Sequence, residues 1–231
     1  MAILSTQCRD MLNSLSWYMS ARKTALRAAL SFRTQLSVND QVDMRIHYSG
    51  YFINMLAATE LFREATAIQS NHFYENLCSR LTFDGFSDGK ANYAYIRELR
   101  NAIVHRGLDI TAAAHIVGDF PMILAPPNVS NQSRTKKYDT FGRYLLDVIM
   151  KCEAVIGPAM LETLDAIGVF EATPDIEATL AEYTETISQS DFMPEHIRSM
   201  ALNVEIKPEW FLEMHQSSME KLRTMLTPFE A

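Results

Sequence analysis

The sequence predicts an all-α fold, a helical bundle with a small β-hairpin insertion and a C-terminal helical extension. Two observations carry that expectation. The 231 residues are 48% hydrophobic and include only 8 Gly and 8 Pro, the balance of a folded, helix-leaning chain rather than a disordered one. Apolar residues recur at intervals of three and four along most of the chain, which is the helical period. One stretch, residues 110–124, departs from it.

Taken in order, residues 6–35 read as one long helix, with Met11, Leu12, Leu15, Tyr18, Met19, Leu26 and Leu30 in step. Ser37-Val38-Asn39-Asp40 supplies turn and cap chemistry. A second long helix then spans Asp40 to Ile68, its inner stripe drawn through Ile46, Ile53, Leu56, Ala57, Leu61 and Ala65. A shorter helix covers 72–82, with Phe73, Leu77 and Leu81 in phase. Asp84-Gly-Phe-Ser-Asp-Gly89 is a loop, and the next helix begins near Lys90.

Past Gly107 the pattern changes. Ile110–Val117, Gly118-Asp119 and Phe120–Leu124 read as a short hairpin with a two-residue turn, although the alanine run also suits a helix. Ala125–Thr135 reads as a mobile polar loop. A helix is expected from Tyr138 to Gly168, kinked or interrupted at Pro158. Thr173-Pro174 reads as a cap and a first-turn proline opening a helix to Ser188. Helical stretches near 194–202 and 208–226 follow, the last with Trp210, Phe211, Met214, Leu222 and Met225 on its apolar face. This divides the chain into a bundle over 1–170, with the hairpin at 109–125, and an extension over 171–231. The thirteen methionines are expected mainly to fill the core.

The segment Arg97-Glu-Leu-Arg100-Asn101-Ala-Ile-Val-His105-Arg106-Gly107 holds the most chemistry. On a wheel of about 100° per residue, Tyr95, Ile96, Leu99, Ala102 and Ile103 form a core-facing stripe. Arg97, Arg100, Asn101 and His105 fall on the opposite side. Asn101 and His105 are i,i+4 neighbours, and Arg97 sits one turn before Asn101. Arginine grips phosphate with a fork of donors, and histidine exchanges protons near neutral pH. A purely architectural reading uses the same residues, with His105 and Arg106 as cations in the last turn and Gly107 as the left-handed terminator. Val104, apolar within the polar face, suits a surface that meets a second helix.

Arg100, Asn101 and His105, an arginine followed at once by a polar residue and, after three more, by a histidine, resemble the signature of the HEPN superfamily. Leu99 precedes the match and Arg106-Gly107 follows it. The resemblance rests on this motif and on helix order over roughly the first 170 residues. It implies a HEPN-like helical bundle, a homodimer in which two copies of the motif meet in a cleft, and metal-independent endoribonuclease activity of the toxin or phage-defence type. RNA is then the substrate, and an antitoxin or sensor protein is a potential partner. Arg100, Asn101 and His105 become the catalytic residues, and Arg97, Arg106, Lys136 and Lys137 RNA-binding ones. The alternative reading is a non-catalytic HEPN-like module for dimerisation, nucleotide binding or protein interaction. In relatives silenced by adenylylation a tyrosine follows the histidine by two residues. Gly107 stands there, so that control does not carry over.

Composition narrows the classes further. A net charge of −7 opposes general nucleic-acid binding and favours a local basic site, for which Arg134, Lys136 and Lys137 are the other cluster. His47-Tyr48 is a further candidate for the cleft of His105. Cys8, Cys78 and Cys152 have no paired spacing and are expected as buried thiols. No metal-ligand spacing, phosphate-cradling glycine loop or nucleophile elbow occurs, so no metal or cofactor is expected. No apolar run suits a membrane span and the first residues lack a signal core, so a cytoplasmic protein is expected.

Overall fold

The computed structural model describes residues 3–64, 70–204 and 206–227. Eight helices occur among them, joined to three small two-stranded sheets, so the fold is mainly α. Helix α1 (Thr6–Ala29) and helix α2 (Val38–Glu64) form the long antiparallel core pair. Helix α3 (Ser70–Arg80) and helix α4 (Gly89–Arg106) pack against α2, and helix α5 (Leu145–Ala166) against α3 and α2.

The first helix begins where Ser5 accepts a hydrogen bond from the amide of Cys8 at 3.2 Å. It stops at Ala29, short of the expected 35. The Arg33 guanidinium donates to the carbonyls of Leu30 and Phe32, and the Thr34 amide donates to the carbonyl of Asp119 on the hairpin turn, drawing the chain out of the helix. At the start of α2, Ser37 and Asp40 exchange hydrogen bonds, the amide of each donating to the side chain of the other. This capping box holds the Asp40 carboxyl below its ordinary value through the Ser37 hydroxyl and amide.

Helix α2 differs from its expected stripe. Ile46 and Ile53 are exposed, as are Val38 and Val42, whereas Met44, Tyr48, Tyr51, Phe52, Met55, Leu56 and Phe62 are buried. The helix is apolar on two sides, and its large aromatic residues win the interior because each removes more surface from water. The end of the expected helix at Ile68, and Ala65 within it, lie outside the described residues.

Strands β2 (Ala114–Val117) and β3 (Phe120–Ile123) form the antiparallel hairpin about a Gly118-Asp119 turn, with Gly118 at φ 64°. The segment expected as a mobile loop instead contributes β4 (Asn128–Ser130), which pairs with β5 (Lys137–Asp139). Asn131 organises the turn between them. Its amide nitrogen donates to Ser133 and Thr135, and its side-chain oxygen accepts from the Lys136 amide. Val129 anchors the hairpin in the core.

Tyr138 thus belongs to β5 rather than to a helix. Helix α5 starts seven residues later, where Asp147 accepts from the Tyr144 amide at 2.8 Å. It runs uninterrupted through Pro158. One lost hydrogen bond is outweighed by the burial of Ile156, Ala159 and Met160 around it.

Thr173-Pro174 is not a helix cap. It forms strand β6 (Thr173–Pro174), parallel to strand β1 (Ile3–Leu4). Asp175 caps helix α6 (Ile176–Gln189) instead, its carboxylate accepting from the Ala178 amide at 3.0 Å. Helix α7 (Glu195–Leu202) has no buried residue, while helix α8 (Pro208–Leu226) returns to α5 and α1 and buries Leu222, Met225 and Leu226. Trp210 and Met214, expected on that apolar face, are exposed. The three cysteines are free and buried.

Candidate functional site

Helix α4 is held at both ends. Asp88 caps its start by accepting from the Ala91 amide at 3.0 Å. Gly107, at φ 68°, ends it in the left-handed region, where glycine alone carries no side-chain penalty. Arg45 of α2 reaches the Gly107 carbonyl at 3.4 Å and lies 3.7 Å from the Asp109 carboxylate. Partial burial pushes the Asp109 carboxyl up. Hydrogen bonds from the hydroxyl and amide of Thr111 and the Arg45 charge outweigh that, so it sits below its ordinary value.

The core-facing stripe forms with Tyr95, Ile96, Leu99 and Ala102 buried and Ile103 packed against them. Tyr95 donates to the Pro126 carbonyl at 2.8 Å, and burial pushes its hydroxyl up to about 12. Going round α4 from α2 towards the β4–β5 hairpin, the wheel order is Arg100, Val104, Arg97, Asn101, His105, Glu98. His105 and Val104 are exposed and Asn101 is half-buried. Among the described residues neither the Asn101 nor the His105 side chain has a hydrogen-bond partner.

Each motif arginine faces a carboxylate. The Arg100 guanidinium is ion-paired and hydrogen-bonded to Glu60 on α2, and its Nε is buried without a partner. Glu98 is buried with its two oxygens 3.6 Å from Arg97 and 3.7 Å from Arg106. Arg106 also donates to the Glu98 carbonyl at 2.9 Å and to the Ser130 carbonyl at 2.6 Å. Ser130 is the cross-strand neighbour of Lys137, so α4 carries the β4–β5 hairpin beside it and brings Lys136 and Lys137, both exposed, to the Arg106 end of the helix.

His47 is not shown in one cleft with His105. Its ring lies 6.1 Å from that of Phe32, beyond the end of α1. Tyr48 is fully buried, and desolvation pushes its hydroxyl up to about 12. Glu60 and Arg45 escaped sequence reasoning because cross-helix pairing leaves no local spacing. Glu98 was visible as the one acid among the motif arginines, but its burial was not. Among the described residues no three metal-ligating side chains gather, and no helix is long and apolar enough to cross a membrane.

The exposed face of α4 continues onto α2 through Arg100–Glu60 and Arg45–Gly107. On α2 the exposed Val42, Ile46 and Ile53 share one stripe with Glu60 at helical spacing. The result is an apolar two-helix surface bordered by a guanidinium, an amide and an imidazole, able to bind an oxyanion and move a proton beside it. In comparisons with known proteins, the chain matches no family model, no curated protein and no solved structure.

Proposed function

We propose that the chain is a HEPN-like, metal-independent endoribonuclease that cuts RNA by attack of a ribose 2′-hydroxyl on the adjacent phosphate. The observation that carries this reading is the exposed His105, whose side chain has no protein partner, one turn from Asn101, with Arg100 about 140° round the same helix, where only its long arm can share a ligand with the imidazole. His105 acts as general base or acid, a role worth about 10²–10⁴-fold. Arg100 neutralises charge growing on the phosphorane oxygens, Asn101 orients His105 or donates to phosphate, and Arg97 assists in positioning. Arg106, Lys136 and Lys137 meet the RNA backbone at one end of the helix. The apolar stripe of Val42, Ile46, Ile53 and Val104 suits a homodimer that sets two such faces against each other. A toxin or phage-defence effector held by an antitoxin or sensor protein, in the cytoplasm, is the setting that this chemistry fits.

A specific observation favours a second reading. Arg97, Arg100 and Arg106 are all committed to Glu60 or Glu98, as expected where a HEPN-like surface serves dimerisation, nucleotide binding or protein interaction. Cleavage of total RNA in excess EDTA separates the two, with wild type beside Arg100→Ala and His105→Ala. Cutting by wild type alone, leaving cyclic-phosphate ends, supports the nuclease. Because the step needs a 2′-hydroxyl, DNA of the same sequence stays intact. No cutting by any of the three, or equal cutting of DNA, overturns it.

A further inference from the structure

Glu98 is the buried charge of α4, 5% exposed, although it lies on the ridge of Asn101 and His105, three and seven residues further on. Its carboxylate stands between two guanidinium groups, 3.6 Å from Arg97 and 3.7 Å from Arg106. No donor bonds its buried Oε2 among the described residues. A carboxylate leaves water only where opposite charge answers it. The two arginines supply that charge without filling the hydrogen-bonding capacity of the group, so Glu98 acts on them as a charge.

Arg106 carries that charge to the hairpin. Folded back along α4, it donates to the Glu98 carbonyl at 2.9 Å and to the Ser130 carbonyl at 2.6 Å, a buckle between the helix and β4. Val129 and Tyr138 seat the hairpin on the core. Its outer part carries Arg134, Lys136 and Lys137, and among the described residues none of them has an acidic partner. Asp139, at the base of β5, is the one acid between residues 128 and 139. The tip is held in one shape. Arg134 sits at φ 57°, a conformation costly for any residue with a side chain, and its amide donates to the Asn131 carbonyl at 3.0 Å. Three unpaired cations on a preformed support suit a phosphate backbone, where contacts position the chain rather than read its bases.

We propose that Glu98 is a positioning residue for RNA binding. Through Arg106 it fastens the β4–β5 hairpin as a fixed basic wing, and Arg134 joins Lys136 and Lys137 on the RNA backbone. The inference rests on the RNA reading of the motif helix. Glu98 itself touches no RNA. Without its charge, Arg106 loses the counter-ion that keeps it along α4, and the wing loses its register beside the helix. The three cations then still attract RNA, but the cost of fixing them in place falls on the binding step.

Fluorescence anisotropy of the full chain with a labelled 2′-O-methyl oligouridylate tests this, since the probe lacks the hydroxyl that cutting needs. For wild type, log Kd is expected to rise linearly with log salt concentration. Replacing Arg134, Lys136 and Lys137 together by Gln lowers that slope by about 2, at about 0.7 for each phosphate contact on a single strand. Glu98→Gln, close to isosteric, weakens binding about fivefold in wild type and leaves the triple variant unchanged. Hydrogen exchange reads the wing without RNA. The amides of Asn131 and Thr140, which donate across the hairpin at 3.1 and 3.0 Å, lose protection in Glu98→Gln, while those of α1 and α2 keep theirs and show the variant folded. Additive effects of Glu98→Gln and the triple variant, or unchanged exchange in the hairpin, overturn the positioning role. An unchanged salt slope in the triple variant overturns the wing, whether or not the chain cuts RNA. A chain that binds the probe as expected but cuts no unmodified RNA keeps the wing and refutes the nuclease alone. No binding by wild type overturns the proposal together with its RNA premise.

Discussion

The Arg100 guanidinium is paired with the Glu60 carboxylate across the α2–α4 contact, and this pair sets the state of the candidate site. An arginine so held must exchange one oxyanion for another before it can touch phosphate. Glu60→Gln is expected to strengthen RNA binding severalfold, read by fluorescence anisotropy. Because the pair is part-exposed and screened, the loss of stability should stay at about 1 kcal/mol or less. Weakened binding would instead mean that Glu60 holds Arg100 in its working position.

His105 and Glu98 make a contrasting pair on the same helix. His105→Ala removes an exposed side chain and is expected to cost no more than about 1 kcal/mol, the worth of a cation in a last turn. Glu98→Ala strips the buried carboxylate from between Arg97 and Arg106 and is expected to cost about 2 kcal/mol, less than a fully buried pair because both arginines are part-exposed. Urea denaturation of the two variants orders them. The reverse order would place His105 in a structural network.

Glu153→Ala tests the ion pair that Arg22 of α1 makes with Glu153 of α5. It leaves the Arg22 guanidinium buried without its carboxylate. A loss of about 3–5 kcal/mol is expected. Joint replacement by Leu at both positions should recover much of it, since well-packed apolar pairs often match buried ionic ones. Calorimetric melting of the single and double variants checks both statements.

Gly89 opens α4 where the helix crosses α3, and a Cβ built on it would stand 1.7 Å from the Cys78 carbonyl oxygen. No rotamer relieves a clash with backbone. Gly89→Ala is therefore expected to cost more than about 2 kcal/mol, despite alanine's better helix propensity. A variant as stable as wild type would show that α3 and α4 do not approach so closely in solution.

Alkaline stability follows from the buried tyrosines. Burial pushes the hydroxyls of Tyr48 and Tyr95, and partial burial that of Tyr74, up to about 12, and burial holds that of Tyr51 well above its ordinary value. A raised value in the folded state means that the unfolded chain gives up its protons first. Their contribution is complete below pH 10 and is lost as the pH climbs from there through 12. Ultraviolet titration should show these phenols ionising together with the loss of helical circular dichroism. Ionisation near pH 10 in a chain that keeps its helices would contradict their burial.

The sequence revealed most where signals were local. Asp88 and Gly107 bracket α4, and the 3–4 spacing of Tyr95, Ile96, Leu99 and Ala102 marked its buried face. The wheel also separated the exposed motif side chains from that face. It failed where both sides of a helix are apolar: Ile46 and Ile53 seemed as fit for the core as Tyr48 and Tyr51, and volume decided. Three-residue strands such as Asn128–Ser130 are shorter than any alternation a pattern can register. Glu60 reaches Arg100 from 40 positions away, a partnership that tertiary packing alone creates.

The pairing of Ile3–Leu4 with Thr173–Pro174, continued by Arg9 reaching Thr179 and Glu182 of α6, also has a temporal meaning. Closing so long a loop carries an entropic cost that local helix formation does not, and contacts of such sequence separation form late. During vectorial synthesis, β1 has to wait for β6 to leave the ribosome. The α1–α2 hairpin can assemble on the growing chain, whereas the edge that anchors the beginning of α1 is completed only by residues made 170 positions later.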